Sequence, residues 1–350
     1  MTQLTHGGDW AGYRAQYGHD ALDFSANVSP LGLPQGVANA IAAALSHADR
    51  YPDPLCRALR AKLAPHEGIP AESILCGNGA ADLIFRLAWA AKPRTALVTA
   101  PTFAEYAAAL ESAGCAVRRH FLQAEVDFAV TDSILTSITP EVDMVFLCQP
   151  NNPTGQLTPL PLVERILRRC EACGALLVVD ECFLDFLPDC DALTAKALLG
   201  SKNLLILKAF TKLYGMAGVR LGYCLCANTA LLEAMQAAGQ PWAVSSLAQA
   251  AGLAALDETA YVAQVRALIA QQRPRLTAGL RALGLRVLDG RANYLLFQGP
   301  ETLGDALRQR GMVLRSCSNY PGLDGSWYRT AVRTGPENDE LLKTLAEVLA

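Results

Sequence analysis

The sequence predicts an α/β protein in two parts, a large domain on a mostly parallel sheet and a smaller α+β domain. Three observations lead there. Short apolar runs rich in β-branched residues recur at 95–99, 144–148, 176–179 and 204–207. Runs of that length and character suit strands buried on both faces. Amphipathic stretches, such as 161–172, separate several of them, which is the rhythm of strand–helix–strand units. After about Gln240 the pattern changes: a long helical tract, roughly 245–283, leads to strand candidates at 285–288, 294–297, 312–315 and 328–333. A chain of 350 residues suits about two domains. The expected boundaries are an N-terminal arm at 1–45, a large domain at 46–239 and a small C-terminal domain at 240–350. The arm is expected to pack with the small domain, because a segment so rich in Gly, Asn and Pro cannot bury itself alone.

Composition excludes several classes of function. Apolar residues make up 51% and charged residues 18%, enough for a buried core and unlike a disordered chain. A net charge of -3 gives no electrostatic footprint for nucleic acid, and no polybasic run is present to hold a membrane surface. No apolar stretch is long enough to span a bilayer. The opening MTQLTHGGDW has neither a basic nor an apolar leader region, so the expected compartment is the cytoplasm. The 11 cysteines are odd in number and scattered, which reads as free thiols. Cys170 and Cys173 form a CxxC inside a helical pattern with no second matching pair. They are expected to pack as small apolar side chains, and no metal site is expected.

The strongest motif is LKAFTKLYGMAGVRLGY at 207–223, in which a strand runs into a turn with Thr211, Lys212, Gly215 and Gly218, and Arg220 stands eight residues after Lys212. Alone, a lysine at a strand end is a solvated charge. Clustered with an arginine, a hydroxyl and two glycines, it offers an amine for an imine and a planar guanidinium for a phosphate. It also offers glycines where the backbone must approach closely. Asp180 ends the run LLVVD; a carboxylate there caps a turn or faces a ligand at the carboxyl edge of an open sheet. NNPTG at 151–155 reads as a turn. Gly77-Asn-Gly-Ala-Ala81 precedes an apolar helical stretch, and helix N-terminal amides cradle phosphate.

These motifs, in this order and across nearly the whole chain, resemble the fold-type I pyridoxal-phosphate enzymes, the aspartate aminotransferase superfamily. The resemblance implies that the large domain binds pyridoxal 5'-phosphate and that Lys212 holds it as a Schiff base and later shuttles protons. Arg220 and Thr211 would bind the cofactor phosphate, with amide contacts from Ala80 and Ala81. Asp180 would pair with the pyridine nitrogen, Asn152 with the ring hydroxyl, and Phe103 would stack on the ring. Tyr51, in RYPDP, would reach the cofactor phosphate of the neighbouring subunit, which implies a homodimer with shared active sites.

Two subgroups look most similar, the histidinol-phosphate aminotransferases, which depend on 2-oxoglutarate, and the threonine-phosphate decarboxylases, which serve cobalamin biosynthesis. Four features favour the decarboxylases: His6-Gly7-Gly8; the segment Asp23-Phe-Ser-Ala-Asn27 followed by Pro30 and Gly32; Phe183 where aminotransferases commonly place a tyrosine; and 314–335, which carries RSCSNYPGL and YRTAVR. The implied substrate is a phosphorylated amino acid, O-phospho-L-threonine, gripped by His6, which the resemblance implies contacts the substrate phosphate, and by Asn27, Asn152, Arg315 and Arg329. Arg333 is expected to be a surface ion pair. Ala209 departs from the pattern, since relatives often carry Ser or Thr there, and Ala80–Ala81 replaces a more polar pair. A non-catalytic regulator is disfavoured because Lys212 is present and there is no room for an N-terminal helix-turn-helix.

Overall fold

The computed structural model describes residues 6–350, so the first five residues of the expected arm lie outside the described residues. A helix, Trp10–Tyr17, precedes a short strand, β1 (Leu22–Asp23). The main sheet follows: β2 (Ile74–Gly77), β3 (Thr95–Ala100), β4 (Ala116–Phe121), β5 (Met144–Cys148), β6 (Leu176–Asp180), β7 (Leu204–Ala209) and β8 (Gly222–Cys226). Its order is β2-β8-β7-β6-β5-β3-β4. Neighbours from β7 through β4 run parallel, and β8 runs antiparallel to both β7 and β2.

The central strands are buried along their length, as the apolar runs predict. Alternate residues serve opposite faces. Leu177, Val179, Leu204 and Ile206 join one core, and Phe146, Val178, Leu205 and Leu207 join a second beneath the helix Gly79–Ala91. β2 and β8 are not among the expected runs, and β4 is a strand that an apolar pattern could not reveal. It is the sheet edge, its sequence is AVRRHF, and its residues are half-buried or exposed. Charged side chains on an edge also discourage pairing with another chain.

The second part holds a four-stranded antiparallel sheet in the order β12 (Arg315–Ser316), β13 (Trp327–Ala331), β10 (Tyr294–Gln298), β9 (Arg286–Val287). The run expected as one strand at 312–315 divides. Met312–Val313, β11, pairs in parallel with β1, and after Leu314 the chain joins β13 instead. The expected helical tract also divides, into Ser246–Ala255 and Thr259–Ala282, at Leu256-Asp257-Glu258. Ser245 caps the first helix through Ala248 N–H; the second starts without a side-chain cap, and the turn between them is closed by backbone bonds from Asp257 to Ala254 and from Glu258 to Ala255. The CxxC lies at the end of the helix Leu160–Cys173, with Cys170 buried in the core. Among the described residues no helix is long and apolar enough to cross a membrane.

The carboxyl ends of β2, β3, β5, β6 and β7 and the amino end of the reversed β8 share one edge of the sheet. Close approach there depends on Gly222. A Cβ on it would lie 2.7 Å from Ala80 N, 2.9 Å from Gly79 C and 3.0 Å from Lys208 O, all backbone atoms. Gly222→Ala is expected to lower stability by about 1–3 kcal/mol, seen as a lower urea midpoint. Gly218→Ala, with no atom within 4 Å of the added carbon, should shift it by no more than ~0.5 kcal/mol.

Candidate active site

A cavity of about 110 Å³ opens on this edge, lined by Ala80, Ala81, Phe103, Cys148, Asn152, Asp180, Cys182, Phe183, Ala209, Thr211, Lys212 and Arg220. The sheet order explains the assembly. Asp180 is the last residue of β6 and sits opposite Cys148 and Leu207 in the neighbouring strands. Lys212 lies in the short helix that leaves β7, and Ala80 and Ala81 open the helix that leaves β2. All eight residues expected to touch the cofactor within one subunit line this space.

Lys212 has lost its ordinary amine character. Burial disfavours its ammonium, and the guanidinium groups of Arg329 and Arg220 repel it; against the opposing pull of Asp180, its pKa falls to about 8. Its Nζ stands 5.5 Å from the centre of the Phe183 ring. The Cys148 and Cys182 thiols are pushed upward, first by burial and then by the charge of Asp180, so they present neutral walls.

Asp180 is held at both oxygens. Tyr106 donates its hydroxyl to Oδ2 at 2.6 Å, and the Cys182 N–H donates to Oδ1 at 3.0 Å. Tyr106 is itself stacked on Phe146 at 4.7 Å and meets Phe103 edge-on at 5.5 Å. It therefore braces both the carboxylate and the aromatic wall. Sequence reasoning passed over Tyr106; its signal was only its spacing of three residues from Phe103. In the 151–155 turn the two asparagines divide their work. Asn151 accepts from Thr102 at 2.8 Å and donates to Pro101 O at 3.0 Å and Thr154 Oγ1 at 2.9 Å, leaving Asn152 to line the cavity.

Arg329 connects this cavity to distant parts of the chain. It is buried, donates to Asn152 Oδ1 and, at 2.9 Å, to Ser25 O. The Asn27 amide is satisfied with its oxygen toward Arg329, 3.0 Å from Nε. All these acceptors are neutral, and among the described residues no carboxylate pairs with Arg329. A buried guanidinium without a counter-charge is a site for an anion.

The remaining candidates stand farther out. His6 and Arg315 line a second cavity of about 290 Å³ with Asp9, Asp23 and Arg308, and the His6 ring centre is 5.9 Å from that of Phe103. Tyr51 is not brought to the cavity. It is 80% exposed and stacks on Trp242 at 4.4 Å. Arg333 pairs with Glu337 and donates to Asp23 O at 3.0 Å. A larger cavity, about 350 Å³, lies on the other side of the 209–214 turn. Its two lysines are paired, Lys208 with Asp185 at 2.7 Å and Lys196 with Glu67 at 2.9 Å, and none of the candidate residues lines it.

Residues 19–346 match the family described as aminotransferase class I and II. The chain is 40% identical, over 94% of its length and 91% of the relative's, to a threonine-phosphate decarboxylase of Salmonella typhimurium. It is 35% identical, over 94% of its length and 92% of the relative's, to a histidinol-phosphate aminotransferase of Desulfitobacterium hafniense. Among solved structures, the histidinol-phosphate aminotransferase from Clostridium acetobutylicum superposes with a TM-score of 0.87 at 28% identity, covering 93% of this chain and 98% of that one. The L-threonine-O-3-phosphate decarboxylase from Porphyromonas gingivalis gives 0.81 at 26% identity, covering 93% and 99%. The chain belongs to the aminotransferase class I and II family and is a pyridoxal-phosphate enzyme.

The cavity fits that cofactor. The Asn78 side chain leaves the start of the helix Gly79–Ala91 uncapped, and Gly79, at φ +83°, has no Cβ where one would meet Arg220 Nη2 at 2.4 Å. An anion at that helix start would meet open amides and a guanidinium. A low-pKa amine for the aldehyde and an anchored carboxylate for the ring nitrogen complete the match. Two outcomes follow. Capture of pyridoxal phosphate by the apoprotein, followed by absorbance, should accelerate through about pH 8 and then level off, because only the neutral amine attacks; an ordinary lysine would keep gaining beyond that. Tyr106→Phe should weaken cofactor retention by about tenfold, the effect of one lost hydrogen bond to a buried charge, as read by equilibrium dialysis.

Proposed function

We propose that the enzyme is a carboxy-lyase that converts O-phospho-L-threonine to (R)-1-amino-2-propanol phosphate, in the service of cobalamin biosynthesis. The geometry's support is Arg329, a buried cation beside Lys212 whose neutral partners come from the N-terminal segment and the 151–155 turn. The choice of reaction rests on the 40% identity to the Salmonella decarboxylase and on Phe183, which lines the cavity without a hydroxyl to donate.

In this reading Lys212 binds the cofactor aldehyde. Arg220, Thr211 and the amides of Ala80 and Ala81 hold its phosphate, Asp180 its ring nitrogen and Asn152 its ring oxygen, while Phe103 covers the ring. Bound there, pyridoxal phosphate supplies a protonated ring that accepts the electron pair released at the substrate's α-carbon. The residues decide which bond gives up that pair. Arg329, oriented by Asn152 and Asn27, grips one substrate anion, and Arg315 with His6 receives the other. Positioning that sets the Cα–carboxylate bond, rather than Cα–H, across the ring is worth on the order of 7 kcal/mol in favourable cases. Carbon dioxide leaves, and Lys212 returns a proton to the α-carbon. The exposed Tyr51, with Trp242, belongs on this reading to a face that meets a second copy, so that active sites are shared in a homodimer. The same reading keeps the division into an arm at 1–45, a large domain at 46–239 and a small one at 240–350, and a cytoplasmic location.

Holoenzyme incubated with O-phosphothreonine and no keto acid should release carbon dioxide and an equal amount of amine product, and Lys212→Ala should abolish both. No release, together with 2-oxoglutarate-dependent conversion of histidinol phosphate, would instead support the aminotransferase reading, toward which the likeness to the Clostridium structure points.

A further inference from the structure

His6 does not stand alone at the mouth of the site. Its Nε2 meets Glu105 Oε1 at 2.7 Å. That hydrogen bond holds the Glu105 carboxyl below the usual carboxylate range, against a smaller opposing effect of burial. An ionised carboxylate only accepts, so Nε2 carries the proton and Nδ1 is turned away from Glu105. Glu105 begins the helix Glu105–Ser112, where the helix dipole favours its negative charge, two residues after Phe103 of the cofactor cavity. His6 bridges the two spaces, since it lies against Phe103 and lines the second cavity beside Arg315. The arm that carries it is fixed just downstream. Gly8 N–H donates to Ser25 Oγ at 2.8 Å, and a Cβ on Gly7 would lie 2.4 Å from Ser25 O, the oxygen to which Arg329 donates.

We infer that Glu105 is a positioning and specificity residue for the phosphate of the substrate, acting through His6; this rests on the reading of His6 as a phosphate contact. The carboxylate does two opposed things. With His6 in place it holds the imidazole across the mouth, fixes which ring nitrogen faces the ligand, and has its own charge covered. Without His6 the same charge faces the approach bare and repels a phosphate dianion. Its effect on affinity therefore reverses sign with the residue at position 6, which a purely structural contact would not do. The pair is only partly exposed, 48% and 21% for the two side chains, so the expected effects are those of a screened interaction. The other charges of the second cavity, Asp9, Asp23, Arg308 and Arg315, are the same in every variant compared.

The experiment is a double-mutant cycle on the holoenzyme, reading KM and kcat for O-phosphothreonine separately. Glu105→Gln should raise KM about threefold or more and leave kcat within about twofold. His6→Ala should raise KM further, and His6→Ala/Glu105→Gln should have a lower KM than His6→Ala alone. Glu111→Gln, which removes an acid from the same helix that pairs only loosely with Arg119 at 3.6 Å, should leave KM unchanged. An unchanged KM in Glu105→Gln, or an effect of the same sign in both backgrounds, would overturn the inference. Should the wild-type enzyme release no carbon dioxide, the proposed reaction fails but the cycle does not. It is then read with histidinol phosphate and 2-oxoglutarate, because both substrates are phosphate monoesters.

Discussion

Arg329 carries a positive charge in the interior, and each oxygen it donates to is neutral. Ser25 and Asn27 come from the N-terminal segment, Asn152 from the turn after β5, and Arg329 itself from the middle of β13. Its guanidinium also lies 5.4 Å from the Tyr294 ring. A buried charge held this way costs stability until an anion arrives. The fold accepts that cost because the same group draws three distant segments together. It also acts on Lys212, where, after burial, it is the largest influence on the amine. One guanidinium thereby links the placement of the N-terminal segment, the 151–155 turn and the reactivity of the nucleophile.

The sheet gives this coupling a rigid base. Parallel strands buried on both faces end at a common edge, so residues far apart in sequence, Phe103, Asn152, Asp180 and Lys212, are delivered to one cavity. The reversed β8 brings Arg220 to the same edge from the opposite chain direction, and Gly222 permits the contact between β8 and the helix start that carries Ala80. Supporting residues then remove freedom from the reactive ones. Tyr106 and the Cys182 amide fix Asp180, and Asn151 fixes the turn that presents Asn152.

Sequence alone made legible whatever carries a local pattern. The apolar runs located β3, β5, β6 and β7, though not the equally buried β2 and β8, and the turn-rich lysine motif marked Lys212 and Arg220, while the family resemblance singled out Asn152 and Ala80–Ala81. Patterns failed where tertiary context decides. β4 is polar because it is an edge, and 312–315 reads as one strand although its two halves pair with β1 and β13. The helical tract from 245 hides a break because its three turn residues include neither Gly nor Pro. Tyr106 and Glu105 were invisible as functional groups because their partners, Asp180 and His6, lie 74 and 99 residues away. Tyr51 is the converse case: its motif is plain, but its proposed contact lies on another subunit.

What separates a decarboxylase from an aminotransferase in this framework is the direction in which the anion grips turn the α-carbon. In the proposed reading Arg329, with Arg315 and His6, is the set that fixes it, and the most direct measurement reads the bond that breaks. The holoenzyme is allowed to turn over O-phosphothreonine in deuterium oxide, and product and residual substrate are examined by NMR. The expected result is a single deuterium on the product carbon that lost its carboxylate, with none at the α-carbon of recovered substrate. Deuterium at the α-carbon of recovered substrate without loss of carbon dioxide would show that the residues hold Cα–H across the ring, and would contradict the account.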